Sequence, residues 1–258
     1  MTTDHETARL YVNAWRLMVP RLPSGTVQEV DGVIATLGNV ELSFLNCFFA
    51  EGPLVDGKEL RRRLTTAKSL AMSSVHPWFF ALCDDWLPQG WESVVESEGL
   101  AVALSLTGMT SDGLRPPRRS LPHLEFRRVE DEATARHIAE VNAFAYSMPL
   151  EVVECICNLH LWKPDSYGYV AYIDGEPVAC SSSFPVDDTV YVGFVATHPD
   201  HQRRGYAEAV MRHSITRGME GMGLSRTSLH ATEAGRPLYE AMGYEGNGLF
   251  HLVAQPHA

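Results

Sequence analysis

Two hydrophobic periods alternate along this chain, and their order predicts its elements. In the second half, Leu124 to Val129 alternates with period two, which predicts a strand. Asp131 stands where a helix cap belongs, and Ala135, Ile138, Ala139 and Asn142 then recur at helical spacing through about Tyr146. A second helix is predicted from Leu150 to Leu161. Tyr167 to Ile173 and Pro177 to Phe184 read as strands joined at Asp174-Gly175, a pair that suits a tight hairpin. Thr189 to Thr197 is the next strand. In the helix after it, Ala207, Met211, Ile215, Met219 and Met222 form one stripe that ends near Gly223. Ser225 to Ala231 is a strand, and Gly235 to Met242 is a short helix with Pro237 in its first turn, where a missing N–H costs little. Leu249 to Val253 is expected to close this sheet.

The first half carries a fainter version of the same pattern. Arg9 to Met18 is helical, with Leu10, Ala14, Leu17 and Met18 on one side. Asp31-Gly32 sits between β-rich runs, as Asp174-Gly175 does later. Val40 to Phe49 reads as a strand, Lys58 to Met72 as an amphipathic helix and Trp78 to Cys83 as a strand. Gln89 to Glu96 is a helix and Leu100 to Leu106 a last strand. Between the halves, Thr110 to Pro122 is rich in proline and lacks apolar periodicity, so it reads as an extended connection. The expected organisation is residues 1–109, a linker over 110–122, and residues 123–258.

Composition narrows the class. The chain has 258 residues, 45% hydrophobic and 21% charged, the profile of a globular protein with ample core. A net charge of −11 disfavours nucleic acid as the main partner and favours a cationic amine. Five cysteines do not make a disulfide framework, so a reducing cytoplasm is expected. The polar start Met-Thr-Thr-Asp-His-Glu has no signal-peptide core, and no apolar run approaches a bilayer span, so no membrane association is expected.

Candidate chemistry concentrates where the strand ending at Thr197 runs through His198-Pro199-Asp200-His201 into Gln202-Arg203-Arg204-Gly205-Tyr206-Ala207. A helix start exposes unpaired N–H groups and the positive end of the helix dipole, which together form an anion site. Arg203 and Arg204 add full charges. Elsewhere plainer readings hold. Cys155 and Cys157 lie two apart in a predicted helix and point to different faces, so no metal pair is expected there, and Cys180 reads as a small core residue.

The spacing Gln202-x-x-Gly205-x-Ala207, directly after a strand and a His-Pro turn, resembles the coenzyme A loop of the GNAT superfamily of N-acetyltransferases. The run Leu238-Tyr239-Glu240-Ala241-Met242-Gly243-Tyr244 is similar to that family's closing motif. The resemblance covers roughly residues 124–254. It implies an α+β mixed-sheet GNAT acyl-CoA N-acyltransferase fold, with the first half read either as a degenerate GNAT-like unit or as an unrelated α+β cap. At the equivalent place the first half reads Glu51-Gly52-Pro53-Leu54-Val55-Asp56-Gly57, where a proline interrupts and two acids would repel a phosphate.

The resemblance further implies acetyl-CoA as donor, no metal, and direct attack by a small-molecule primary amine in a ternary complex. A different acyl-CoA or a non-catalytic acetyl-CoA sensor is the alternative, and a homodimer is left open. Gln202, Arg203, Arg204, Gly205, Tyr206 and Ala207 would hold the pyrophosphate. Val195, Ala196 and Thr197 would pair with the pantetheine arm, with an amide near Val195 facing the thioester carbonyl. Tyr239 would protonate the departing thiolate. Tyr191-Val192-Gly193-Phe194 has no carboxylate to act as base, which leaves His230 and Glu233 as candidates, each with an equally ordinary structural reading.

Overall fold

The computed structural model describes residues 5–72 and 74–256; the first four residues of the polar start lie outside the described residues. The chain packs as two units. One takes the chain to Met109 together with His230–Arg236 and the segment from Gly246; the other takes Thr110–Leu229 and Pro237–Glu245.

The first unit begins with α1 (Glu6–Met18), capped by His5, whose Nδ1 accepts from the Ala8 amide. Strands β1 (Thr26–Val30) and β2 (Val33–Leu37) pair across Asp31-Gly32, where φ is 49° and 73°, the left-handed pair that a two-residue hairpin needs. β3 (Asn46–Ala50), α2 (Gly57–Ala71), β4 (Phe79–Cys83), α3 (Trp91–Ser97) and β5 (Ala101–Ser111) follow. The strand expected over Val40 to Phe49 is shorter at its start, with a 3-10 turn at Ser43–Leu45. Asn46 is the reason: its side-chain amide donates to the carbonyls of Val40 at 2.7 Å and Pro77 at 2.9 Å, and its oxygen accepts from the Asn39 amide.

The second unit contains β6 (Glu125–Arg128), α4 (Glu132–Ala145), the single turn α5 (Leu150–Val153), β7 (Tyr169–Ile173), β8 (Glu176–Val186), β9 (Thr189–Thr197), α6 (Tyr206–Met222), β10 (Arg226–Ala231) and α7 (Arg236–Met242). α7 and β10 each cross the boundary between the units. Asp131 caps α4 by accepting from the Thr134 amide at 2.8 Å. The long helix expected from Leu150 to Leu161 is instead α5 followed by a 3-10 turn at Glu154–Cys157. Asp174-Gly175 turns the β7–β8 hairpin with φ of 51° and 86°.

The last strand, β11 (Glu245–Ala254), corrects a sequence expectation. It does not close the second unit's sheet but pairs antiparallel with β4, Phe250 opposite Cys83 and Leu252 opposite Ala81. Phe250, Leu252 and Val253 are buried there, so the hydrophobic pattern was right and the partner was not. Within the first unit the strands run β1-β2-β3-β4-β11-β5, and within the second β10-β9-β8-β7-β6.

Each unit contains a parallel pair with a helix between its strands, β3–α2–β4 in the first and β9–α6–β10 in the second. Leu60 and Leu64 of α2 pack into a core with Phe48, Phe80 and Leu82, each such side chain contributing about 1.5–3 kcal/mol. The buried face of α6 is Tyr206, Ala209, Val210, Met211, Ser214, Ile215 and Gly218, rotated from the predicted methionine stripe. Small residues cause the rotation. A Cβ at Gly218 would lie 2.9 Å from the Ser183 Cβ, and Ser214 bonds Ser181 at 2.9 Å, so this face sits closest to β8. Among the described residues no helix is long and apolar enough to cross a membrane.

Candidate coenzyme and acyl-transfer site

The site is built by the way β9 leaves its neighbours. β10 pairs with β9 only at Thr189, Val190 and Tyr191, so the rest of β9 has an edge that β10 does not cover. On the other side, β8 pairs with β9 until a bulge: Ser182 opposes Gly193, and the next partners are Cys180 and Ala196. Phe194 and Val195 have no register partner, and Phe194 takes a φ of 50°, unusual for a bulky side chain. Val195 and Thr197 are half-buried and Ala196 buried.

Side chains fix this irregular stretch. Ser182 Oγ donates to the Gly193 carbonyl at 2.7 Å, Cys180 Sγ to the Phe194 carbonyl at 3.3 Å, and the Tyr146 hydroxyl to the Val195 carbonyl at 3.1 Å. Thr197 Oγ1, farther along the same strand, is buried without a hydrogen-bond partner among the described residues. An open strand edge with an orphaned hydroxyl fits an extended amide-bearing chain laid alongside it.

β9 then runs through a 3-10 turn at Pro199–His201 into α6. The first backbone bond of α6 is from the Ala209 amide to the Gly205 carbonyl at 3.1 Å, which leaves the amides of Gly205 to Glu208 without intrahelical partners. Gly205 is the N-cap and supplies no side-chain cap, at φ 80°. A Cβ there would meet only Pro122 at 3.5 Å, so the backbone conformation, rather than crowding, asks for glycine. Arg203 is also left-handed, at φ 63°. Gln202, Arg203 and Arg204 are exposed, and among the described residues neither arginine enters an ion pair. Ala207 is half-buried. Tyr206 is buried against Leu124, Tyr169 and Val210, so only its backbone faces the loop. These uncapped amides fit a diphosphate.

Tyr239, on α7, is buried and its pKa is pushed up, first by burial and then by the neighbouring Tyr146 and Tyr244 hydroxyls. Among the described residues no hydrogen bond engages its hydroxyl. Tyr146 therefore stands between two expected site residues, bonded to Val195 and close enough to Tyr239 to affect its charge. Sequence reasoning missed Tyr146, and it missed the bulge; the bond joins residues 49 positions apart and leaves no local signal.

Among its described residues the first unit has no equivalent. β4 pairs with Cys47, Phe48 and Phe49 of β3, leaving almost no open edge. The start of α2 is capped by Asp56, whose carboxylate accepts from Lys58 at 2.9 Å and Glu59 at 2.8 Å. His230 is stacked on Tyr11 at 4.0 Å in this unit, and burial lowers its pKa to about 3, so it is a poor base near neutrality. Glu233 is exposed in the turn before α7. His5, Cys83 and Asp85 also gather here, within 4.8 Å of one another. With the Ala8 amide bonded to Nδ1, the His5 proton sits on Nε2 and goes to Asp85 at 3.0 Å, which leaves no nitrogen lone pair for an ion.

Comparison with known proteins agrees with this geometry. Residues 133–244 match the acetyltransferase (GNAT) family model. A GCN5-related N-acetyltransferase from Kribbella flavida superposes with a TM-score of 0.73 at 18% identity, covering 98% of this chain and 96% of that one. One from Sphaerobacter thermophilus gives 0.61 at 14% identity over 88% and 78%. A tandem GNAT protein from the clavulanic acid biosynthesis pathway gives 0.57 at 10% identity over 96% of each chain. Curated proteins give no match. The fold is shared with these structures, and the matched region, residues 133–244, spans both the open strand and the uncapped helix and is similar to the acetyltransferase (GNAT) family.

Proposed function

We propose that the second unit transfers an acetyl group from acetyl-CoA to a primary amine of a small molecule, by direct attack in a ternary complex. The observation that carries this reading is the run from an open β9 edge into the uncapped start of α6 at Gly205. The amides of Gly205 to Glu208, with Arg203 and Arg204, receive the pyrophosphate. Gln202 flanks it, and Tyr206 and Ala207 serve through their backbone. Val195, Ala196 and Thr197 take the pantetheine arm as an added strand.

The amine attacks the thioester carbonyl carbon, negative charge moves onto the carbonyl oxygen, and the Val195 amide stabilises it. Loss of one such donor typically costs about 100- to 1,000-fold in rate. The intermediate then collapses, the C–S bond breaks and the thiolate takes the Tyr239 proton. Burial that raises the phenol also raises the basicity of a thiolate formed beside it. With no carboxylate in Tyr191–Phe194, the nitrogen's proton passes to water. The first unit is a GNAT-like repeat without a coenzyme site, because Asp56 already occupies its helix start.

Incubation with acetyl-CoA and a panel of small amines, following free thiol, tests the reading. Thiol release with at least one amine and a melt raised by coenzyme A are expected. A melt that ignores coenzyme A excludes the site; a raised melt without turnover makes the protein an acetyl-CoA sensor instead.

A further inference from the structure

Cys180 lies under the bulge of β9 and bonds more than one peptide there. Its Sγ donates to the Phe194 carbonyl at 3.3 Å. It also takes hydrogen bonds from the Ala196 amide and from Asn142 Nδ2, the latter at 3.2 Å. Asn142 is itself buried on α4, with its amide also bonded to the Ile138 carbonyl at 2.8 Å. Burial raises the Cys180 thiol to about 12, so it keeps its proton as a donor throughout the neutral range.

The consequence follows from peptide planarity. In a trans peptide the carbonyl and the following N–H point in opposite directions. Holding the Phe194 carbonyl toward Cys180 therefore turns the Val195 N–H away from β8. The side of β9 away from β8 is the edge that β10 leaves uncovered beyond Tyr191. Neither Phe194 nor Val195 has a ladder partner to set this orientation, so the side chain must do it.

We propose that Cys180, oriented by Asn142, is a positioning residue for acyl transfer: it holds the Phe194–Val195 peptide so that the Val195 amide faces the thioester oxygen. This rests on the acetyltransferase reading above and adds to it a part played by a buried thiol that never touches substrate. Ser182 and Tyr146 hold the flanking carbonyls, and among the described residues Cys180 is the side chain that bonds the peptide carrying the donor.

The test compares Cys180→Ala, which removes the donor, with Cys180→Ser, which keeps it. Three readouts are used: acetyl-CoA turnover with an amine active in the panel, the melt shift given by coenzyme A, and the Val195 amide resonance with and without acetyl-CoA. For Cys180→Ala we expect kcat to fall about 10- to 100-fold, part of the loss that follows removal of such a donor. KM for acetyl-CoA and the melt shift should stay within about twofold, and Cys180→Ser should restore kcat to within about threefold. The Val195 resonance should move on adding acetyl-CoA to the wild type and Cys180→Ser, and not to Cys180→Ala.

Full kcat in Cys180→Ala, a loss that serine does not restore, or a rise in KM alone overturns the proposal and leaves the coenzyme site standing. A wild-type melt indifferent to coenzyme A overturns the underlying reading and the proposal together. If coenzyme A binds but no amine turns over, the resonance decides: an unchanged response in Cys180→Ala overturns it, and a lost response upholds it.

Discussion

The Tyr146 hydroxyl donates to the Val195 carbonyl at 3.1 Å, tying the end of α4 to the one stretch of β9 that lacks a regular ladder. The residue is 51% exposed while burial around its hydroxyl raises the phenol's pKa to about 12, so the proton stays in place for this bond near neutrality. Tyr146→Phe keeps the ring and deletes the bond. A hydrogen bond of this kind is worth about 1 kcal/mol, roughly a fivefold effect. We expect turnover to fall about fivefold or more, while the melt and its response to coenzyme A change little. Unaltered turnover would show that Tyr146 does not hold the bulge.

The two helix starts offer a second comparison. α2 ends its orphan amides with Asp56, whereas α6 presents Gly205 and no side-chain cap. Gly205→Glu puts a β-carbon at φ 80° and a carboxylate beside the amides, so the coenzyme-induced melt shift should vanish. Asp56→Ala should lower stability by about 0.5–2 kcal/mol, the worth of a cap, and leave the coenzyme response intact. A coenzyme response that persists in Gly205→Glu would remove this loop as the diphosphate site.

How much of this was legible beforehand follows from the range of the interactions involved. The hairpins at Asp31-Gly32 and Asp174-Gly175, the strand Thr189–Thr197 and the helix stop at Gly223 are local, set by residues a few positions apart, and sequence reading located them. The start of α6 after Gly205 was legible for the same reason. The partner of β11 was not, because alternation tells which face is buried and not which strand lies alongside. The α6 face was misread because Ser214 and Gly218 carry no hydrophobic signal, yet their smallness brings the helix close to β8. Cys180 was read as plain core; its burial was visible in its type, and its bond to Phe194 was not.

His230 makes a pH prediction in the first unit. It is stacked on Tyr11 at 4.0 Å and meets Phe250 edge-to-face at 4.8 Å, and burial lowers its pKa to about 3. In the unfolded chain a histidine titrates near about 6.5. Its neutral form thus contributes stability that is fully present above about pH 6.5 and lost as pH falls toward the folded value. The slope is at most about 1.4 kcal/mol per pH unit from this group. Melts between pH 7 and pH 4 should show that loss, and His230→Gln should flatten it. An equally steep acid limb in the variant would assign the effect elsewhere.

Tyr239 makes the opposite prediction at high pH. Burial holds its phenol protonated well past the ordinary tyrosine range, and Tyr244 beside it is shifted the same way for the same first cause. Unfolded tyrosines ionise near about 10. The stability contributed by these neutral phenols is therefore complete below pH about 10 and declines as pH rises through the folded value. Melts should hold steady to about pH 10 and drop beyond it, and Tyr239→Phe should make the drop shallower. The same variant separates chemistry from packing, since phenylalanine fills the space and lacks only the proton. If Tyr239 protonates the leaving thiolate, kcat should fall about 100-fold or more while the coenzyme melt shift persists. A variant with full kcat and a shallower alkaline limb would keep Tyr239 in the fold and take it out of the reaction.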